Sequence, residues 1–136
     1  MAGYSDYTEK LLQDKWLGGA NFTPAATIYV GLSATTVNDD GTGITEPSGG
    51  AYARVAVTNN LTNWPAASGA TALKQNAIAI VFPVATADWG TVTYFFFSDA
   101  STSGNMLASA PLTLSKIVQE GDTASFGISS ISSTLD

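Results

Sequence analysis

The chain has 136 residues, a net charge of -6, a charged fraction of only 12%, and neither cysteine nor histidine. Gripping nucleic acid or an anionic membrane takes clustered basic residues, whereas Lys10, Lys15, Arg54, Lys74 and Lys116 are scattered, so neither is an expected partner. Without cysteine there are no disulfides or thiolate metal sites, and one domain of roughly 100–150 residues accounts for the length.

A single domain over residues 1–136 is therefore expected, with a helix at 4–18 and β-structure over 23–136. The opening residues lack a basic region followed by an apolar core, so no secretory leader is read and synthesis in a cytoplasm is expected. The longest apolar stretch, residues 76–87, contains Pro83 and is too short to span a bilayer.

Ser5 can cap the first turn of the helix, Asp6 and Glu9 suit its positive end, and Lys15 suits its negative end. Tyr4, Tyr7 and Leu11 recur at spacings of three and four, with Leu12 and Trp16 beside them, which makes an apolar stripe. Gly18 and Gly19 stop the helix, because glycine enters the left-handed C-terminal position freely. A helix this short is marginal alone, so its stripe packs either on this chain's sheet or on a neighbouring subunit.

From residue 23 the period changes to two. Residues 27–33 (TIYVGLS) read as a strand, and the polar residues 36–50 as a long loop rich in Asn, Asp, Gly and Pro. Strands follow at 52–58 and 77–82; residues 59–69 are loop-like, with Leu61 and Trp64 lying against the body. Residues 91–97 (TVTYFFF) form a central strand whose aromatic run implies burial on both faces, by core and by a partner or the helix. A Ser/Gly-rich hairpin loop at 99–105 leads into 106–109. Residues 114–119 and 123–128 flank a Glu120-Gly121-Asp122 hairpin turn, and 131–136 can add one more strand. Short strands punctuated every 8–12 residues or so indicate an all-β fold: a β-sandwich, jelly-roll-like or Ig-like, with one short N-terminal α-helix.

Chemistry is sparse. With neither His nor Cys the usual base and nucleophile are missing, so no catalytic residue, cofactor or enzymatic activity is expected. Asp39, Asp40 and Glu46 share a loop and could offer oxygen to Ca²⁺, but their spacing does not match a helix–loop–helix calcium loop. They read as turn-shaping residues, and no metal site is assigned. Asp88, just before Trp89, reads as a corner-fixing carboxylate. Arg54, the sole arginine, can pair with Asp88 or Asp99 or cross a subunit boundary. Tyr4, Tyr7, Leu11, Trp16, Arg54 and Trp64 are the candidate interface residues, intramolecular packing being their alternative.

Three blocks resemble a set of small tailed-phage proteins across nearly the whole chain. They are residues 5–19 with 26–32, residues 49–57 (GGAYARVAV), and residues 82–92 (FPVATADWGTV) continuing through Asp99, Gly104-Asn105-Met106-Leu107 and Gly121-Asp122. The proteins they resemble are phage structural proteins often labelled tail fibre, elsewhere recognised as capsid decoration, cement or head-fibre proteins. The Phe95-Phe96-Phe97 run departs from the smaller strand centre expected there.

The resemblance implies a virion component. The low-charge surface, cheap to desolvate, fits a packing role. An acidic compact domain suits the outer face of a capsid better than an inner face that meets DNA. Capsid decoration is therefore the favoured reading: a homo-oligomer, with a trimer favoured, binding the major capsid protein. The alternatives are a tail or baseplate component that binds a receptor or glycan, and a carbohydrate-binding module built on loop aromatics such as Trp64.

Overall fold

The computed structural model describes residues 3–135. Met1, Ala2 and Asp136, included above in the expected domain, lie outside the described residues. The elements in chain order are β1 (Gly3–Tyr4), α1 (Asp6–Gly18), β2 (Thr27–Ser33), β3 (Val55–Thr58), β4 (Lys74–Gln75) and β5 (Ile80–Val81). There follow β6 (Gly90–Ser98), β7 (Met106–Val118), β8 (Ser125–Phe126) and β9 (Ser132–Ser133). Five strands make one antiparallel sheet in the order β1-β7-β6-β2-β3, and two small antiparallel sheets, β4-β9 and β5-β8, accompany it. The fold is mostly strand with a single short N-terminal helix, compatible with the all-β sandwich expected.

The main core is built where the large sheet meets the small ones. Val30, Leu32, Val57, Val92 and Val118 from the large sheet pack with Ile80, Phe82, Trp89 and Ile131. The aromatic strand β6 explains itself through its pleat. Phe95 and Phe97 turn to this core, half-buried, while Phe96 turns to the opposite face and is fully buried. Its cover is not the helix: Val37 and Ile44 of the long 34–54 loop, with Met106 and Tyr94, close over it. The run is thus buried on both faces by this chain's own residues.

Gly31 sits opposite Phe96 in the β2–β6 register, and the ring lies where a Cβ on Gly31 would stand. The aromatic side chain is accommodated because its cross-strand partner has none.

Several boundaries differ from the sequence reading. The helix starts at Asp6, not at residue 4. Tyr4 pairs with Ala108 in the sheet, and Ser5, with φ -75 and ψ 159, is still extended. Ser5 caps as expected: its Oγ accepts from the Thr8 amide at 3.2 Å, and Gly19 closes the other end with φ 64. The expected strands at 106–109 and 114–119 are one strand, β7. Its register jumps from Val92↔Lys116 to Tyr94↔Pro111, so residues 112–115 bulge opposite Thr93.

Glu120-Gly121-Asp122 is a turn but not the turn of a paired hairpin. Gly121 N–H donates to Ala85 O at 2.7 Å, and Ala85 N–H donates to Asp122 O at 2.9 Å. These bonds steer the chain off β7 and lay β8 beside β5. The tail does add a strand, β9, on β4.

Candidate docking groove

Helix α1 is held at its first turn. Ser5 N–H and Thr8 Oγ1 both donate to Leu107 O, at 2.9 Å each, and Asp6 N–H donates to Asp39 O at 2.9 Å. This fixes the helix across the β1 edge of the sheet, and between the helix, the loop after it and the small β4-β9 sheet the body leaves a groove of about 1030 Å³. Tyr4, Leu11, Phe22, Leu61 and Trp64 line it, over Phe95 and Phe97. That volume is at the upper end of small-molecule pockets, roughly 300–1,000 Å³, and the lining is mostly apolar.

The charged groups beside the groove are already engaged. Lys74 Nζ donates to the Trp64 and Pro65 carbonyls at 3.1 and 2.8 Å. Asp99 accepts from the Asn105 backbone N–H and side-chain amide at 2.7 and 2.8 Å. What the groove offers a partner is apolar area with neutral hydroxyl and amide groups such as Asn60, Ser132 and Ser133 around it. That suits protein–protein contact.

Of the residues singled out from sequence, Tyr4, Tyr7, Leu11 and Trp64 converge on this groove. Tyr4 Oη is 3.1 Å from Ser133 Oγ, joining the β1 edge to the C-terminal strand. Trp64 stands edge-on to Phe97, centroids 5.4 Å apart, so it is half-buried packing and not a free loop aromatic. Trp16 is elsewhere, 83% exposed at the helix's far end. Sequence reasoning missed Leu17, 86% exposed beside it, and Phe22. Leu17 adjoins Trp16 on the helix, the one signal that could have found it, whereas Phe22 lies past the helix end where no periodicity marks it.

Arg54 does not join the groove. It pairs with neither Asp88 nor Asp99 but with Glu46, Nη2 to Oε2 at 2.8 Å and Nε to Oε1 at 3.0 Å. Its Nη1 donates to Ala100 O and Ser103 O at 2.8 and 2.9 Å. The Glu46 hydrogen bonds raise the guanidinium pKa above its ordinary value, against the opposing effect of burial. Arg54 ties the 34–54 and 99–105 loops together within this chain.

Two further carboxylates fix local backbone. Asp88 accepts from Glu120 N–H at 2.9 Å beside the buried Trp89, the corner-fixing role expected. Asp40 accepts from Thr42 N–H and Oγ1 at 2.9 and 2.6 Å, and these bonds hold its carboxyl below the usual range. Among the described residues no three acidic side chains gather where a metal ion could be held, and no helix is long and apolar enough to cross a membrane.

Residues 3–134 match the family model described as "Podophage GP4 fiber I protein gp80". No curated protein matches the chain.

Proposed function

The chain belongs to the podophage fiber I protein family, and from that premise we propose that it is a non-catalytic fibre subunit, present in several copies and held to the virion by protein–protein contact. Membership makes it a structural protein of a tailed-phage particle. The observation that carries the fibre reading is the extent of the match, which runs from β1 through β9. The groove supports it, because its apolar lining gains free energy from burial and its charged neighbours are already bonded within the chain. Several modest contacts made by an oligomer add up to firm attachment. No chemistry is assigned to the protein, which has neither a histidine nor a cysteine to perform it.

A second reading is decoration of the outer capsid surface, a trimer bridging copies of the major capsid protein. Its support is the net charge of -6, which DNA inside the shell would repel. Cryo-electron microscopy of the intact virion separates the two. Density for this fold in an appendage supports the fibre reading, and density on the head lattice supports decoration. Purified particles that lack the protein altogether would overturn both.

A further inference from the structure

Helix α1 buries none of its 13 residues, and its last turn carries Trp16 and Leu17 at 83% and 86% exposure. One exposed apolar residue is ordinary, whereas an adjacent Trp and Leu on a fixed helix end make a patch. The end is held in place: Gly19 caps it, Ala20 N–H donates to Asp14 O at 3.0 Å, and Lys15 Nζ donates to Asn21 Oδ1 at 2.9 Å. It is a presented knob. The same chain carries an apolar groove that this knob does not fill, bordered by Leu61 at 68% exposure.

We propose that Trp16 and Leu17 of one copy seat in the groove of a second copy of this chain, so that each copy gives one helix end and receives one. The inference rests on the reading of the protein as a multi-copy virion subunit and names the contact that joins the copies.

Area and chemistry both suit a second copy as the occupant. The helix carries no excess of positive charge, with Asp6, Glu9 and Asp14 against Lys10 and Lys15, so what its end offers is the apolar pair Trp16 and Leu17. The groove's own ions are already bonded, so nothing there demands a charged ligand. A Trp and a Leu bury roughly 350 Å² between them and cover about as much groove wall. In a reciprocal pair the two insertions then bury about 1,400 Å² in all, about 700 Å² from each copy, within the total of roughly 1,200–2,000 Å² typical of specific interfaces. Equal numbers of knobs and grooves follow from their being on one chain, which allows a closed oligomer.

The test uses the full chain, whose lack of cysteine lets single thiols be placed cleanly. Gly18→Cys, beside the knob, meets nothing within 4 Å, and Leu61→Cys alters an exposed side chain, so neither disturbs the core and both keep Trp16 and Leu17. Mixed in equal amounts and mildly oxidised, the two variants are expected to give a disulfide-linked heterodimer as the main product. Wild-type protein is expected to show a mass of two or more chains by light scattering at tens of micromolar. The double variant Trp16→Ser, Leu17→Ser is expected to shift to a single chain, with an unchanged circular dichroism spectrum. A wild-type monomer at high concentration would overturn the proposal, as would an assembly untouched by the double variant or lacking the heterodimer. Recovery of the protein from purified virions is a separate measurement, so loss of the contact and loss of the virion reading are told apart.

Discussion

Arg54 and Glu46 meet in a two-pronged ion pair, 2.8 and 3.0 Å, while the guanidinium carbon lies 5.0 Å from the centroid of Phe96. The arginine side chain is only 6% exposed and the glutamate 25%. Removing one partner from such a pair strands the other in a poorly solvated place. Arg54→Met is therefore expected to lower stability by about 3 kcal/mol. In urea denaturation, the double variant Arg54→Met, Glu46→Leu should lose less than the sum of the single losses. Additive losses would show that the pair is not coupled.

Tyr52 gives the same cluster a pH dependence. Its hydroxyl accepts from Leu32 N–H at 2.9 Å and donates to Glu46 Oε1 at 2.8 Å. Burial, opposed by the Leu32 bond and reinforced by Glu46, pushes the phenol above its ordinary value of 10.0. The folded state then keeps a proton that the unfolded chain releases. The resulting stability is complete below about pH 10 and declines as pH climbs from there toward the folded value. Urea midpoints from pH 8 to 11 should fall more steeply for the wild type than for Tyr52→Phe, which is less stable at neutral pH. Parallel curves would remove Tyr52 as the cause.

Gly31→Ala tests the seat of Phe96. The added methyl enters the space of a ring that is fully buried under Val37, Met106 and Arg54 and has little room to retreat. Overpacking of this kind costs about 1–3 kcal/mol. A thermal melt should show the loss, and Gly31→Ala combined with Phe96→Leu should recover part of it. No recovery would place the strain elsewhere.

How far these relationships were legible depends on whether local sequence decides them. Ser5 and Gly19 act through their own backbone neighbours, so the helix ends could be read, apart from the two residues by which β1 delays its start. Period-two patterning revealed β2 and β6 but not the face each aromatic takes, because Phe95, Phe96 and Phe97 carry no polar alternation. The partner of Arg54 was missed because Glu46 lies in a loop whose path is set by tertiary bonds, such as those of Thr45 N–H to Ser33 Oγ at 3.0 Å and Ala34 N–H to Thr45 O at 2.8 Å. The expected strand at 77–82 shrinks to Ile80–Val81 for a similar reason. Asn76 fixes the backbone before it, and nothing in its local pattern announces that role. Four of the candidate interface residues line one groove, but only Tyr7 and Leu11 share the helix; Tyr4 comes from β1 and Trp64 from the loop before β4, so their convergence is set by tertiary structure.

Asn76 is the strongest remaining test of how the C-terminal segment is held. Its side chain is fully buried, donating from Nδ2 to Ile78 O and Gly127 O at 2.8 Å each and accepting from Ile131 N–H at 2.9 Å. Asn76→Ala leaves two carbonyls and one amide without these bonds, at a cost of about 2–4 kcal/mol. Asn76→Asp keeps the shape yet turns a carboxylate oxygen toward the two carbonyls, so it should be the worse variant at pH 7 and should recover toward the alanine variant as the acid is protonated. The loss should appear first around residues 127–134, where β9 pairs only with β4 through Lys74↔Ser133 and Gln75↔Ser132. In hydrogen exchange of Asn76→Ala, amides of β9 should lose protection before those of β2 and β6. Simultaneous loss across all three would show instead that Asn76 supports the fold as one cooperative unit.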